Sequence, residues 1–134
     1  MKAGKPVELE RDFARWLNDA AKMFGWRFAH FRPARTKYGW VTPMEGDEGW
    51  VDYVMVRPPR LILAELKRIR RPSEVSDGQK AWLAMLSQVS GVEVYLWTPD
   101  QRDEILLCLA LEQSPASLDA VRDRFRELTE AVAR

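Results

Sequence analysis

Hydrophobic positions along this chain change period several times, and each change marks an element. In residues 8–24, Phe13, Trp16, Leu17, Ala20, Ala21 and Phe24 recur at three- and four-residue steps. That spacing predicts an amphipathic helix, with Gly25 as its stop. Residues 26–31 then alternate, Trp26, Phe28 and His30 on one face and Arg27, Ala29 and Phe31 on the other, which predicts a strand. Residues 32–49 hold Pro, Gly and charges without a period and read as a long loop, a length that compact domains often keep for function.

Two apolar runs follow, 50–57 and 61–67, joined by Arg57-Pro58-Pro59-Arg60 as a hairpin-type link. A polar stretch from Arg68 to Ser76 precedes a helix predicted over 77–89, with Ala81, Trp82, Met85, Leu86 and Val89 as its stripe and Gly91 as its end. Residues 92–97 read as a strand, and Asp100 is the predicted cap of a helix through about 112. A last helix over about 115–133 carries Leu118, Val121, Phe125, Leu128 and Val132 at helical spacing. The order α-β-β-β-α-β, with a hairpin and a strand–helix–strand crossover, predicts an α/β fold. Its centre is a mixed sheet of about four strands flanked by helices.

The second apolar strand ends in Glu65-Leu66-Lys67. Side chains at i and i+2 of a strand share a face, so Glu65 and Lys67 stand side by side. Charges in such a run need a partner or a metal. A salt bridge at a frayed strand end is the plain reading. Asp52, near the start of the preceding predicted strand, adds a second acid at the same place. Two carboxylates suit Mg²⁺, which takes one or two and keeps several waters. Zinc fits poorly, because the chain has one His and one Cys. Lys67 could hold a phosphate or orient water, and the backbone carbonyl of Leu66 is a further candidate ligand.

Composition narrows the setting. The 134 residues are the length of one domain, and 46% hydrophobic content is enough for one core. The net charge of +1 provides no global field toward an anion, so nucleic-acid contact has to come from local clusters. Arg57, Arg60, Lys67, Arg68, Arg70 and Arg71 form one such cluster, and Arg27, Arg32, Arg35 and Lys37, with His30 among them, form another. Both border the acids in the linear reading and suit phosphate; solvated loops are the alternative. Trp40 and Trp50 could stack on bases, with core packing or loop anchoring as the competing use. Cys108, alone in an apolar segment, reads as a reduced core thiol of a cytoplasmic protein. The N-terminal residues show no signal-peptide pattern, and no run is long enough to span a membrane.

Gly49-Trp50-Val51-Asp52, Glu65-Leu66-Lys67 and Gln79 opening a helix with Trp82-Leu83 together resemble the PD-(D/E)xK nuclease superfamily. Within it the chain is most similar to the VRR-NUC group of phage-type and Holliday-junction-resolvase-like nucleases. The segment from Gly25 to Arg35 resembles the first strand and basic loop of small phage members. Val94 to Pro99 followed by Glu104-Ile105 resembles their last core strand and helix. The resemblance runs from about residue 8 to 107. It implies a restriction-endonuclease-like core, with residues 1–134 forming a single nuclease domain. It implies a Mg²⁺-dependent endonuclease on DNA, branched or nicked DNA included, with Mn²⁺ able to substitute. Asp52 and Glu65 become metal ligands, Lys67 the catalytic lysine and Gln79 the helix glutamine supporting the site. Glu10, with Glu8 as fallback, completes the metal shell. His30, Arg32, Arg35, Lys37, Arg68, Arg70 and Arg71 become DNA contacts. The location would be the cytoplasm, the host's if the chain is phage-encoded, and relatives that resolve junctions are dimers, so a homodimer is a further expectation. The chain departs from the pattern in having Val51 where Pro is usual. The loop after Lys67 is also about two residues longer, with Pro72 where Gly is common. Two other functions compete. One is a non-catalytic nucleic-acid-binding module on the same scaffold. The other is an interaction protein assembling through its last helix.

Overall fold

A computed structural model describes residues 6–32, 34–41, 43–69 and 71–115; the side chains of 6–9, 34, 35 and 72 fall outside that description. The predicted helix at 115–133 and the predicted contact Arg70 lie outside the described residues, as do the side chains of Glu8 and Arg35.

Helix α1 spans Pro6–Met23 and buries Phe13, Leu17, Ala20 and Ala21 of the predicted stripe, together with Ala14, while Trp16 and Phe24 are half-buried. Each such large apolar side chain contributes about 1.5–3 kcal/mol when fully buried. Gly25 sits at φ +79°, a left-handed conformation that glycine adopts without strain, and turns the chain into β1 (Arg27–His30). Phe28 and His30 are half-buried while Arg27 and Ala29 are exposed, as the alternation requires.

The predicted loop 32–49 is not wholly a loop. It contains an antiparallel hairpin of β2 (Ala34–Thr36) and β3 (Gly39–Val41). Strands of three residues are too short to show a period, and β3 is exposed throughout, so burial left no pattern in the sequence.

β4 (Tyr53–Arg57) and β5 (Arg60–Leu66) form the expected antiparallel hairpin. β4 starts at Tyr53 rather than Trp50, so Asp52 lies in the bend just before the strand. It is still held at the sheet, because the Phe31 N–H donates to its backbone carbonyl at 2.8 Å. Helix α2 (Asp77–Leu86) crosses over to β6 (Glu93–Trp97), which pairs parallel with β5. A short 3₁₀ turn, Pro99–Gln101, leads into α3 (Arg102–Ala110). Thr98, not the predicted Asp100, caps that turn: its N–H donates to Gln101 Oε1 at 3.0 Å.

The described residues form a mixed α/β structure with a four-stranded sheet in the order β1-β4-β5-β6 and three α-helices. β5 lies inside the sheet, and its residues Ile62 to Leu66 are all buried. Ile62, Ala64 and Leu66 join Tyr53, Met55, Tyr95 and Trp97 in a core closed by α1 and α3. Glu65 alternates with them and so leaves the opposite face, toward α2.

Two predictions about packing fail. The stripe on α2 does not form a core contact: the helix has no buried residue, and Met85 is 70% exposed. Arg57 and Arg60 are structural rather than phosphate-binding. They sit opposite one another at the hairpin end of β4 and β5, away from Asp52 and Glu65. Arg60 is 2% exposed and grips Glu93 through Nε (2.9 Å) and Nη2 (2.7 Å), while Nη1 donates to the carbonyls of Cys108 and Leu111. Arg57 donates to the carbonyls of Phe24, Leu109 and Leu111. Both guanidiniums lie over the Trp26 ring. Two cations thus satisfy carbonyls at the negative end of α3. Cys108 is buried beside them as a free thiol, matching the predicted core role.

Candidate functional site

The hairpin register brings the two acids together. Tyr53 pairs with Ala64, so the next residues outward, Asp52 and Glu65, face each other across the end of the ladder. Asp52 Oδ2 accepts the Leu66 N–H at 2.7 Å, which fixes the carboxylate at the strand terminus. Glu65 is 2% exposed. Its Oε2 accepts from Gln79 Nε2 at 2.7 Å and lies 3.6 Å from Lys67 Nζ. Among the described residues its Oε1 is buried with no hydrogen-bond partner. Lys67 is anchored at its backbone, where its N–H donates to the Trp97 carbonyl at 2.9 Å.

Gln79 is oriented by the helix it opens. Ser76 caps α2: its hydroxyl accepts the Gln79 N–H at 3.1 Å, and the Ser76 N–H donates back to Gln79 Oε1 at 3.0 Å. With Oε1 committed to the cap, Nε2 must point away from it, and it points at Glu65. The helix start is in turn pressed on the loop before Asp52. Gly49, at φ +98°, and Gly78 meet backbone to backbone, and a Cβ on Gly78 would lie 2.6 Å from the Glu48 carbonyl oxygen. Trp82 continues this contact, with its Nε1 donating to the Asp47 carbonyl and its ring edge-on to Trp50. Trp50, which also meets Phe31 edge-on, is therefore a loop anchor rather than a base-stacking candidate.

Burial is the main cause pushing both acids upward. Asp52 rises to about 6, offset by the Leu66 N–H and the Lys67 charge and raised further by Glu10. Glu65 rises to about 8, through burial and then the Asp52 charge, with Lys67 opposing. The Asp52 charge thus works against ionising Glu65. This environment favours a neutral carboxyl or a nearby cation.

These groups open into a cleft of about 910 Å³. Its wall includes Asp52, Glu65, Leu66, Lys67 and Gln79, with Glu10, Arg11, Arg15 and Asn18 from α1, and His30, Arg32 and Trp40. Glu10 is exposed and acts on Asp52 only by charge. Among the described residues no three His, Cys, Asp or Glu side chains gather closely enough to hold a metal ion. His30 stacks on Tyr53 with centroids 4.2 Å apart, and burial, then the Arg32 charge, hold it down at about 4, so it is neutral at pH 7. Lys37 lies over the Tyr38 ring instead of in the cleft. Arg68 and Arg71 are not among its walls.

Arg11 and Arg15 are the cleft cations that the sequence reading missed. They lie four apart on the polar side of an amphipathic helix, one step from Glu10 and Ala14, so their place follows once Glu10 is assigned to the site. Among the described residues no helix is long and apolar enough to cross a membrane. The chain matches no protein-family model, and no curated protein matches it in sequence.

Proposed function

We propose that this chain is a Mg²⁺-dependent endonuclease that hydrolyses DNA phosphodiester bonds on a restriction-endonuclease-like core. The observation that carries the reading is the convergence of Asp52, Glu65, Lys67 and Gln79 at the end of β5, in a cleft that also holds Arg11, Arg15 and Arg32.

Two carboxylates alone would repel a phosphodiester. They become useful if a cation lies between acid and phosphate. The unpartnered Glu65 Oε1 and the cost of charging both acids fit a hard divalent ion with oxygen ligands. Asp52 and Glu65 would hold it, with water completing the shell, since one or two carboxylates are the usual protein share for Mg²⁺. When bound, such an ion lowers the pKa of its water and neutralises charge at phosphorus. Lys67 supplies a fixed cation for the phosphate or the attacking water. Gln79 holds the Glu65 carboxylate at one angle. The arginines neutralise flanking phosphates. His30, neutral at pH 7, can donate one hydrogen bond but adds no charge.

Incubation with plasmid, nicked and four-way DNA in Mg²⁺, Mn²⁺ or EDTA tests the reading. Cleavage in either metal, absent in EDTA and lost in folded Asp52→Asn and Glu65→Ala, is the expected result. Cutting that survives either substitution overturns the site assignment. Binding without cutting in every condition favours a non-catalytic DNA-binding module.

A further inference from the structure

The hairpin β2–β3 is built unlike the rest of the molecule. It exposes aromatic rings where the body of the protein buries them. Tyr38 in its turn is 84% exposed, and Trp40 on β3 is 55% exposed. Among the described residues the Trp40 indole makes no hydrogen bond and no ring contact, whereas those of Trp26, Trp50, Trp82 and Trp97 each do. The turn is nonetheless set. Thr36 Oγ1 donates to the Gly39 carbonyl at 2.9 Å and accepts the Tyr38 N–H at 3.1 Å. Lys37 Nζ sits 5.1 Å from the Tyr38 ring centroid, so the turn pairs an aromatic face with a cation.

Position gives these rings a use. Trp40 forms part of the wall of the cleft that holds Glu65 and Lys67, and Arg32 stands just before the hairpin in the same wall. A preformed ribbon that presents two aromatic faces and cations beside a phosphate-binding cleft has the makeup of a base-stacking platform. A paired duplex hides its base faces and offers the rings nothing to stack on. An unpaired strand offers one face per nucleotide.

We infer that the β2–β3 hairpin recognises unpaired bases of a DNA strand, with Trp40 as the principal stacking residue and Tyr38 as the second. This rests on the nuclease reading above and deepens it: the substrates selected carry a single-stranded segment next to the bond that is cut.

The test is equilibrium binding in EDTA, which separates recognition from cleavage. A mixed-sequence single-stranded DNA oligonucleotide, its duplex and its RNA counterpart are titrated against the full-length chain by fluorescence anisotropy, with quenching of Trp fluorescence followed in parallel. Trp40→Ala is expected to bind the single strand about tenfold more weakly, with duplex binding changed less than about threefold. Trp40→Phe keeps an aromatic face and is expected to restore most of that loss. The ring is exposed, so an unchanged thermal melt is expected for both variants. Equal loss on both DNA forms, no loss on either, or no rescue by Phe overturns the hairpin assignment while the cleavage assay still stands. Tighter binding of the RNA strand overturns the choice of DNA. A wild-type chain that neither binds nor cuts nucleic acid overturns both readings together.

Discussion

Replacing Glu65 by Gln removes a buried acid that is costly to ionise and should trade activity for stability. In the folded chain Glu65 keeps its proton up to about pH 8, whereas an unburied glutamate loses it near 4.5. Between those values the folded state binds more protons than the unfolded one, so stability is full below the lower value and is lost as pH rises through the upper one. At about 1.4 kcal/mol per pH step above 4.5, the burden at pH 7 is at most about 3.5 kcal/mol. Asp52 moves in the same direction over a lower window, from 3.8 to about 6. Gln at position 65 keeps an oxygen for Gln79 Nε2 and offers an amide N–H to Asp52, so the hydrogen bonds survive while the charge does not. Thermal melts by circular dichroism in EDTA, from pH 4.5 to pH 8, should therefore show wild type and Glu65→Gln close together at the acid end. The variant should lead by about 10 °C at pH 7. Millimolar Mg²⁺ should raise the wild-type melting temperature at pH 7 and leave the variant unmoved, since binding to the folded state alone stabilises it. A gap that does not widen with pH, or a variant less stable than wild type at pH 7, refutes the argument that burial strains this acid.

Other perturbations have different signatures. Gln79→Ala strips partners from Glu65 Oε2 and from the Ser76 N–H together, at a cost of about 1–3 kcal/mol, and should slow Mg²⁺-dependent cleavage without weakening DNA binding in EDTA. Arg60→Met leaves Glu93 buried without its partner and should cost about 3–5 kcal/mol in urea unfolding, yet leave DNA affinity within twofold because Arg60 is remote from the cleft. Gly78→Ala forces the helix start off the Glu48 carbonyl, for about 1–3 kcal/mol, and should lower the cleavage rate in parallel with Gln79→Ala. His30→Gln should leave the pH–rate profile unchanged between pH 6 and 8, because His30 is already neutral there.

The acids and the lysine were legible from the sequence because strand geometry is periodic. Two-residue spacing put Glu65 beside Lys67, and a short hairpin link put Asp52 opposite Glu65, even though the strand begins one residue after Asp52. Gln79 was legible only through a family resemblance. Its role depends on a cap that directs one end of an amide, and spacing does not report that. The basic clusters were misread in part because proximity along the chain is not proximity in space. Arg57 and Arg60 lie beside the acids in the linear string but point to the far end of the hairpin, where they serve a helix terminus. Arg11 and Arg15, distant in sequence, reach the cleft. The stripe on α2 shows the reverse error: Met85 keeps helical spacing without a core to meet, and the helix ends at Leu86, short of the predicted Val89.

That helix has a consequence for how the site is switched. Without a buried side chain, α2 is held near the site by the Gln79 amide, the glycine contact and Trp82, all of them in or near its first two turns. An element so attached opens at a lower free energy than the strands of the core. Each opening withdraws Gln79 and frees Glu65, so the site assembles and disassembles with one helical turn. Amide exchange at Lys80, whose N–H donates to the Ser76 carbonyl at 2.9 Å, therefore reports on the readiness of a carboxylate fifteen residues away in sequence. The proposed site is only as persistent as the first turns of α2.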